Sequence, residues 1–160
     1  MEISKEEEQR YAQLQMIALD FAREGNTQEL ESMLKHGLSV NLCTHKDDSL
    51  LMLATYNGNL ETSKMLLRFE ADINKINHRG QTPLEGVCFK GNIEIVKLLV
   101  ESGAAVGRNA VIYAGMFGHK EIVSYLKKYN FDNKQARVFG IGIELIVLIT
   151  AKIRYFFLKN

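Results

Sequence analysis

Histidine and cysteine are the residue types in this sequence that could ligate a metal ion or act as a nucleophile. They are His36, Cys43, His45, His78, Cys88 and His119. None belongs to an HExxH, a CxxC pair or a GxSxG motif, and no glycine-rich phosphate loop occurs. We therefore expect no catalytic centre and no metal site. With two cysteines in the whole chain, we expect two separate reduced thiols, as in an intracellular protein.

The spacing of two of these histidines points to a repeated structure. His45 and His78 are 33 residues apart. The dipeptide Gly-Asn recurs at the same interval, at Gly25, Gly58 and Gly91. Self-similarity at this period is typical of stacked repeats. Neighbouring repeats lie about 10 Å apart, which is too far for one zinc ion to bind both imidazoles. We therefore expect His45 and His78 to be surface contact residues.

One repeat is clearest between residues 79 and 103. Thr82 favours a helix start as the N-cap, and Pro83 suits the first helical position. Gly91 allows the chain to turn into a second amphipathic helix, and Gly103 suits a left-handed stop after it. A unit of two such short helices cannot bury both faces alone, so it needs neighbouring copies.

These patterns resemble the ankyrin-repeat family over residues 12–131. The matching motifs are Thr82-Pro83-Leu84, the Gly-Asn or Gly-His between helices, the Ile-Val-x-Leu-Leu of residues 95–99 and the Ala-Asp-Ile-Asn of residues 71–74. The resemblance implies an all-α ankyrin-repeat solenoid of about four helix-turn-helix units with short β-turn fingers. The family's usual histidine, which supports the turn of the next repeat, is replaced by Met52, Glu85 and Ile112. That support must therefore come from elsewhere.

The repeats also predict the domain organisation. We expect an ankyrin-repeat domain over residues 1–131, with repeats at about residues 11–43, 44–76, 77–106 and 107–131. The fourth repeat is shortened, because Gly118 follows Gly91 after only 27 residues. The missing residues belong to the projecting turn. We therefore expect a short loop without a hairpin at residues 107–109, followed by helices at residues 110–117 and 120–127.

Residues 4–23 predict a long N-terminal helix that caps the stack with an acidic outer face. Ser4 and Glu7 form the pattern of a capping box. Helical spacing gives this helix an apolar stripe of Tyr11, Leu14, Ile17, Ala18, Phe21 and Ala22. The N-terminus has neither the basic start nor the apolar run of a secretory signal, so we expect a cytoplasmic protein.

The C-terminal segment, residues 132–160, departs most from the repeat pattern. Its apolar run, residues 138–151, contains Glu144 and two glycines and is shorter than the ~20 residues that cross a bilayer. Residues 127–160 carry seven basic and two acidic side chains, whereas residues 1–31 carry three basic and eight acidic ones. One interpretation is a helix that packs on the fourth repeat and closes the stack. The other is a basic aromatic segment that docks on a membrane surface or a partner, through Lys152, Arg154, Tyr155, Phe156, Phe157 and Lys159.

In the family that the sequence resembles, partners bind the turn tips and the exposed side of each first helix. By alignment of the repeats, this implies a concave partner-binding surface of His45, Lys46, Asp48, Tyr56, Asn57, His78, Arg79, Gln81, Phe89, Lys90, Met116 and Phe117. Aromatic residues, methionine and arginine are enriched at protein interfaces. The alternative is that the aromatic side chains fill gaps between the repeats.

The resemblance implies a non-catalytic adaptor that binds another protein and acts as a monomer without a cofactor. The net charge of +1 gives no indication that nucleic acid is a partner. The alternative function is a ligand-handling accessory protein, because some small bacterial ankyrin proteins are associated with catalase and its haem supply. Haem would then be the cofactor, with ligands among His45, Tyr56, His78 and His119.

Overall fold

The computed structural model describes residues 4–129, and these residues form eight α-helices. The helices are α1 (Lys5–Glu24), α2 (Thr27–Lys35), α3 (Leu50–Tyr56), α4 (Leu60–Arg68), α5 (Pro83–Lys90), α6 (Ile93–Glu101), α7 (Arg108–Met116) and α8 (Lys120–Leu126). The chain divides into two compact units, Met1–Pro83 and Leu84–Asn160. The predicted C-terminal segment, residues 132–160, lies outside the described residues.

The helices pack in pairs that follow the predicted repeats. In the first unit α1 contacts α2 and α3 contacts α4, and the pairs stack through contacts of α1 with α3 and of α2 with α4. In the second unit α7 contacts α8, and α6 also packs on α8. Leucine and isoleucine side chains such as Leu51, Leu66, Leu99 and Ile122 are almost fully buried between them. The structure therefore confirms the all-helical repeat architecture that the sequence predicts.

Each pair turns at a glycine in the left-handed conformation, which a side chain would strain. The φ angles of Gly25, Gly58, Gly91 and Gly118 are 85°, 84°, 89° and 77°. Where the corner closes after Gly118, His119 N donates to a backbone carbonyl oxygen of α7 at 2.8 Å. The four glycines thus occupy matching corners, as their spacing predicts.

The residue after a corner glycine ties that corner to the preceding repeat of the same unit. In the first unit, Asn59 Nδ2 donates to two carbonyl oxygens at the end of α1, at 3.0 and 2.8 Å. In the second unit, His119 Nε2 lies 3.0 Å from the carbonyl oxygen of Phe89 at the end of α5. A Cβ atom on Gly91 would clash with the His119 ring. Glycine is therefore required at this corner for two reasons: its positive φ and the close approach of His119.

The turns before α3 and α5 share one geometry. Asp47 N donates to Thr44 O at 2.9 Å, and Gly80 N donates to Asn77 O at 2.8 Å. Asp47 has a φ of 59°, close to the 71° of Gly80. The structure confirms that Asp47 occupies the left-handed position where the next repeat has glycine, which aspartate tolerates better than most residues.

The fourth repeat lacks the projecting turn, as its shortened sequence predicts. Residues 104–107 form neither helix nor strand, and they lead directly into α7. Helix α7 begins at Arg108, because Gly107 takes the extended N-cap conformation. The prediction of a loop through residues 108 and 109 is therefore wrong by two residues, while α7 and α8 themselves lie where they were expected.

Helix α1 differs from the sequence prediction in its exposure. Its capping box is present, since Ser4 Oγ accepts from Glu7 N and the Glu7 carboxylate accepts from Ser4 N. Helix α1 buries only alanines, however, and Tyr11, Leu14 and Ile17 of the predicted stripe are 52%, 46% and 44% exposed. The physical reason is length. Helix α1 has 20 residues against nine in α2, and residues 4–14 are all exposed in the described structure.

Candidate functional site

Two neighbouring turn tips in the first unit carry several of the predicted partner-binding residues. His78 N donates to Lys46 O at 3.0 Å, and His78 Nε2 lies 2.8 Å from an Asp47 carboxylate oxygen. The Arg79 guanidinium lies 3.9 Å from the Asp48 carboxylate. These contacts place the two tips side by side. His78 and Arg79 remain largely exposed, with 62% and 70% of their side-chain surface accessible.

Asn77 is the residue that builds the second of these turns. Its side-chain oxygen accepts from Arg79 N and Gln81 N, both at 3.0 Å. Its amide nitrogen donates to Asp48 Oδ1 at 2.7 Å and lies 3.3 Å from Met52 Sδ. Asn77 is only 6% exposed, so these bonds satisfy a buried amide. The support that the usual histidine would give from position 52 is therefore supplied by Asn77 itself.

Thr44 does the same for the preceding turn. Its hydroxyl oxygen accepts from Lys46 N and Asp48 N, both at 3.2 Å. Thr44 and Asn77 are 33 residues apart and thus share one repeat position. Sequence reasoning missed both residues. The signal that could have found them is an oxygen-bearing side chain at the first turn position in each complete repeat, where it can accept backbone N–H groups.

A groove of about 580 Å³ lies between α1 and the first turn. Predicted partner-binding residues His45, Lys46 and Asp48 line it. Sequence reasoning missed the opposite side, where Met16 and Leu19 of α1 also line the groove. The α1 side has no counterpart in the repeat alignment, because a long helix replaces the turn and first helix of the first repeat.

The C-terminal end of α3 presents two more predicted residues. Tyr56 is 37% exposed. Asn57 is exposed, and its Nδ2 donates to Leu53 O at 2.8 Å, which extends the last turn of the helix. The inner-helix end thus carries an exposed aromatic side chain next to a fixed amide.

The second unit presents an aromatic pair of its own. The rings of Phe89 and Phe117 lie 4.2 Å apart between centroids and are tilted by 60°. Phe89 is half-buried, whereas Met116 and Phe117 are 41% and 39% exposed. Lys90 at the end of α5 is exposed as well. Both sequence interpretations therefore apply to different residues: Phe89 packs, and its neighbours keep accessible apolar surface.

Comparison with known proteins identifies the family. A family model described as three copies of ankyrin repeats matches residues 16–109. The chain belongs to the ankyrin-repeat family. It is similar to an ankyrin repeat protein of Pseudomonas aeruginosa, with 62% identity over 39 residues, which are 24% of this chain and 23% of that protein.

The ankyrin fold is also found among solved structures. The crystal structure of the human ASB11 ankyrin repeat domain superposes with a TM-score of 0.67 at 28% identity. The match covers 71% of this ankyrin-repeat chain and 54% of the human domain. The chain thus spans about half of the solved domain and about a quarter of the bacterial relative.

The two thiols of this ankyrin-repeat protein differ in accessibility. Cys88 is fully buried, and that burial raises the pKa of its thiol to about 12. Cys43 is half-buried, lines the groove beside α1, and donates from Sγ to Asn41 O at 3.3 Å. Partial burial also raises the pKa of Cys43. Both cysteines are free, so Cys43 is the thiol that a reagent in solvent can reach.

The histidines show no grouping that would hold a metal ion. Within residues 4–129, no three His, Cys, Asp or Glu side chains come together as a metal site needs. His78 and His119 already contact Asp47 and the Phe89 carbonyl oxygen. Haem binding stays a prediction. Across the same residues, no helix combines the length and apolar character that crossing a membrane requires.

Proposed function

We propose that this chain is an adaptor that binds another protein through its turn tips and the C-terminal ends of its inner helices. Ankyrin repeats are generally protein–protein interaction modules, and members of the family are typically non-catalytic. The inner helices are α3, α5 and α7. The proposal assigns the contact to specific side chains on each unit.

The observation that carries the proposal is the exposure of large apolar side chains at these helix ends. Tyr56 on the first unit and Met116 and Phe117 on the second are each about two-fifths exposed, at 37%, 41% and 39%. Aromatic and methionine side chains are enriched in the buried centres of protein interfaces. Covering them by a partner would remove apolar area from water, which stabilises a complex.

The turn tips supply the polar part of the proposed surface. His78 and Arg79 lie over the carboxylates of Asp47 and Asp48, so the tips of the first unit are held by one another before any partner arrives. Such preorganisation lowers the entropy cost of binding. His45 and Lys46 add exposed basic groups at the edge of the groove beside α1.

Affinity capture from the native cell tests the proposal. The full chain with Tyr56→Ser and Met116→Ser is compared with wild type and with Tyr129→Ser. Tyr129 is a matched control, because it is 39% exposed but lies beyond outer helix α8. We expect the double variant to lose the specific partner, since two interface anchors typically cost at least 10-fold in affinity (about 1.4 kcal/mol or more).

The Tyr129→Ser control should recover the partner as wild type does. Thermal unfolding of all three proteins must accompany the capture, so that loss of folding is not mistaken for loss of binding. Equal recovery of every captured protein by the double variant and wild type would overturn the proposed surface.

A further inference from the structure

The N-terminal half of α1 leaves an apolar face uncovered in the described structure. Tyr11 is 52% exposed, Leu14 46% and Ile17 44%. Tyr11 and Leu14 continue the helical spacing of Ala18, which is fully buried. The same side of the helix is thus buried at its C-terminal end and bare at its N-terminal end. Contiguous exposed apolar surface of this kind marks an interaction site.

A groove extends this face onto the neighbouring helix. It has a volume of about 370 Å³ and is lined by Tyr11, Leu14, Met33 and Leu38, among others. Met33 belongs to α2, and Leu38 follows it. The groove therefore offers space for large apolar side chains beside the exposed stripe. We call the stripe and the groove together the α1 face.

Charge indicates which kind of polypeptide this face would bind. Residues 1–31 carry eight acidic and three basic side chains, a net charge of −5. Glu6, Glu7 and Glu8 lie in the first turn of α1 and are exposed. An apolar surface next to such an acidic helix start is complementary to an apolar segment that carries basic residues.

The chain itself contains a segment of that composition. Residues 127–160 carry seven basic and two acidic side chains, a net charge of +5. Within them, residues 138–159 are mostly apolar and contain Lys152, Arg154 and Lys159. These residues lie outside the described part of the chain. A long apolar segment left in water would be an aggregation liability, so it needs a surface to cover it.

We propose that the α1 face binds the C-terminal segment, residues 138–159, of this same polypeptide. Apolar side chains of the segment cover Tyr11, Leu14 and Ile17, and its basic side chains lie near the glutamates at the start of α1. This occupant is favoured over an unrelated protein because its composition and its charge both match the face. The inference is independent of the proposed partner surface, which lies on other side chains.

Thiol labelling of the full chain tests this directly. The substitution Leu14→Cys is made in a Cys43→Ser background, so that the buried Cys88 is the remaining native thiol. The matched control is Met116→Cys in the same background, since Met116 is 41% exposed against 46% for Leu14. A segment bound for about nine-tenths of the time lowers the labelling rate by a maleimide about tenfold. We expect that reduction at position 14 relative to position 116.

Charge reversal in the segment identifies the occupant. The triple substitution Lys152→Glu, Arg154→Glu and Lys159→Glu places like charges near the N-terminal glutamates. We expect it to bring the labelling rate at position 14 to within about twofold of the control, because the bound fraction falls below one half. The rate at position 116 should not change. Far-UV circular dichroism confirms that every variant is folded.

Two outcomes would overturn the proposal. One is an equal labelling rate at positions 14 and 116 before any charge is reversed, which would mean that the face is bare. The other is protection at position 14 that survives the charge reversal, which would mean that a different surface covers it, such as the same face of a second copy.

Discussion

At the scale of single residues, Asn77 shows how a repeat tolerates the loss of a usual side chain. It closes its own turn and reaches back to Asp48 of the preceding turn. Four polar contacts from a side chain that is 6% exposed make this amide a structural centre of the first unit. Its value depends on burial, because an unsatisfied buried donor or acceptor costs more than an exposed one.

We predict that Asn77→Ala lowers the free energy of unfolding by about 2–3 kcal/mol, because two backbone N–H groups lose their acceptor in a buried setting. Asn57→Ala is the control. Asn57 also donates one side-chain bond, to Leu53 O, but it is exposed, so the loss should stay below about 1 kcal/mol. Urea denaturation measures both. Equal losses would show that Asn77 has no special role.

The two thiols give a second prediction at this scale. At pH 8, iodoacetamide should modify Cys43 and leave Cys88 intact until the chain unfolds. Burial raises the pKa of Cys88 from 9.0 to about 12, so its reactive thiolate is scarce at this pH. Mass spectrometry of native and denatured samples counts the adducts. Rapid modification of Cys88 in the native protein would contradict the buried placement.

The same pKa shift has a consequence for stability. Folding favours the neutral Cys88 thiol, so this contribution is fully present below pH 9 and is lost as the pH rises from about 9 to about 12. The variant Cys88→Ala should therefore show a shallower fall in unfolding free energy over that pH range than wild type. Parallel slopes in the two proteins would contradict it.

At the scale of elements, the corner between paired helices is the feature that recurs. Gly91 needs its glycine both for a φ of 89° and for the approach of His119 from the next repeat. Gly103 has a φ of 94° but faces open space. The two glycines therefore separate backbone strain from steric clash.

We predict that Gly103→Ala costs about 1–2 kcal/mol, the strain of a left-handed alanine. Gly91→Ala should cost more by about 1–3 kcal/mol, because the His119 ring must move and lose its bond to Phe89 O. In the double variant Gly91→Ala with His119→Ala the clash disappears. The two changes should then cost at least about 0.5 kcal/mol less together than the sum of the single changes. Additive losses in denaturant unfolding would contradict the contact.

Much of this level could be predicted from the sequence. The 33-residue spacing of Gly25, Gly58 and Gly91 fixed the corners, and the early return at Gly118 located the shortened repeat. Such features are local, because a positive φ and a missing turn follow from residue type and spacing. Asn77 was missed since its role depends on side-chain bonds across two turns.

The exposure of α1 could not be predicted for a different reason. Helical spacing identifies which side of the helix carries Tyr11, Leu14 and Ile17, but it does not say whether a neighbour reaches that far. Helix α2 is too short to cover the whole of α1. The candidate surface was predictable to the extent that residues such as Tyr56 and Met116 are exposed; its function as a binding surface stays a proposal.

At the scale of the whole molecule, each unit presents a framework of short helices with exposed apolar side chains at matching repeat positions. Tyr56 serves the first unit and Met116 the second. Repeat proteins achieve stability by nearest-neighbour packing, which leaves the inner-helix ends open for contacts with other molecules. The proposed adaptor function depends on that division between packed and open positions.

Site-specific photocrosslinking in the native cell tests the adaptor function most directly. A photoreactive phenylalanine analogue is placed at position 56, 116 or 129 of the full chain, one position at a time. The account predicts discrete crosslinked products with the same partner protein from positions 56 and 116, and none from position 129. Crosslinks to that partner from position 129 alone, or no protein product from positions 56 and 116, would contradict it.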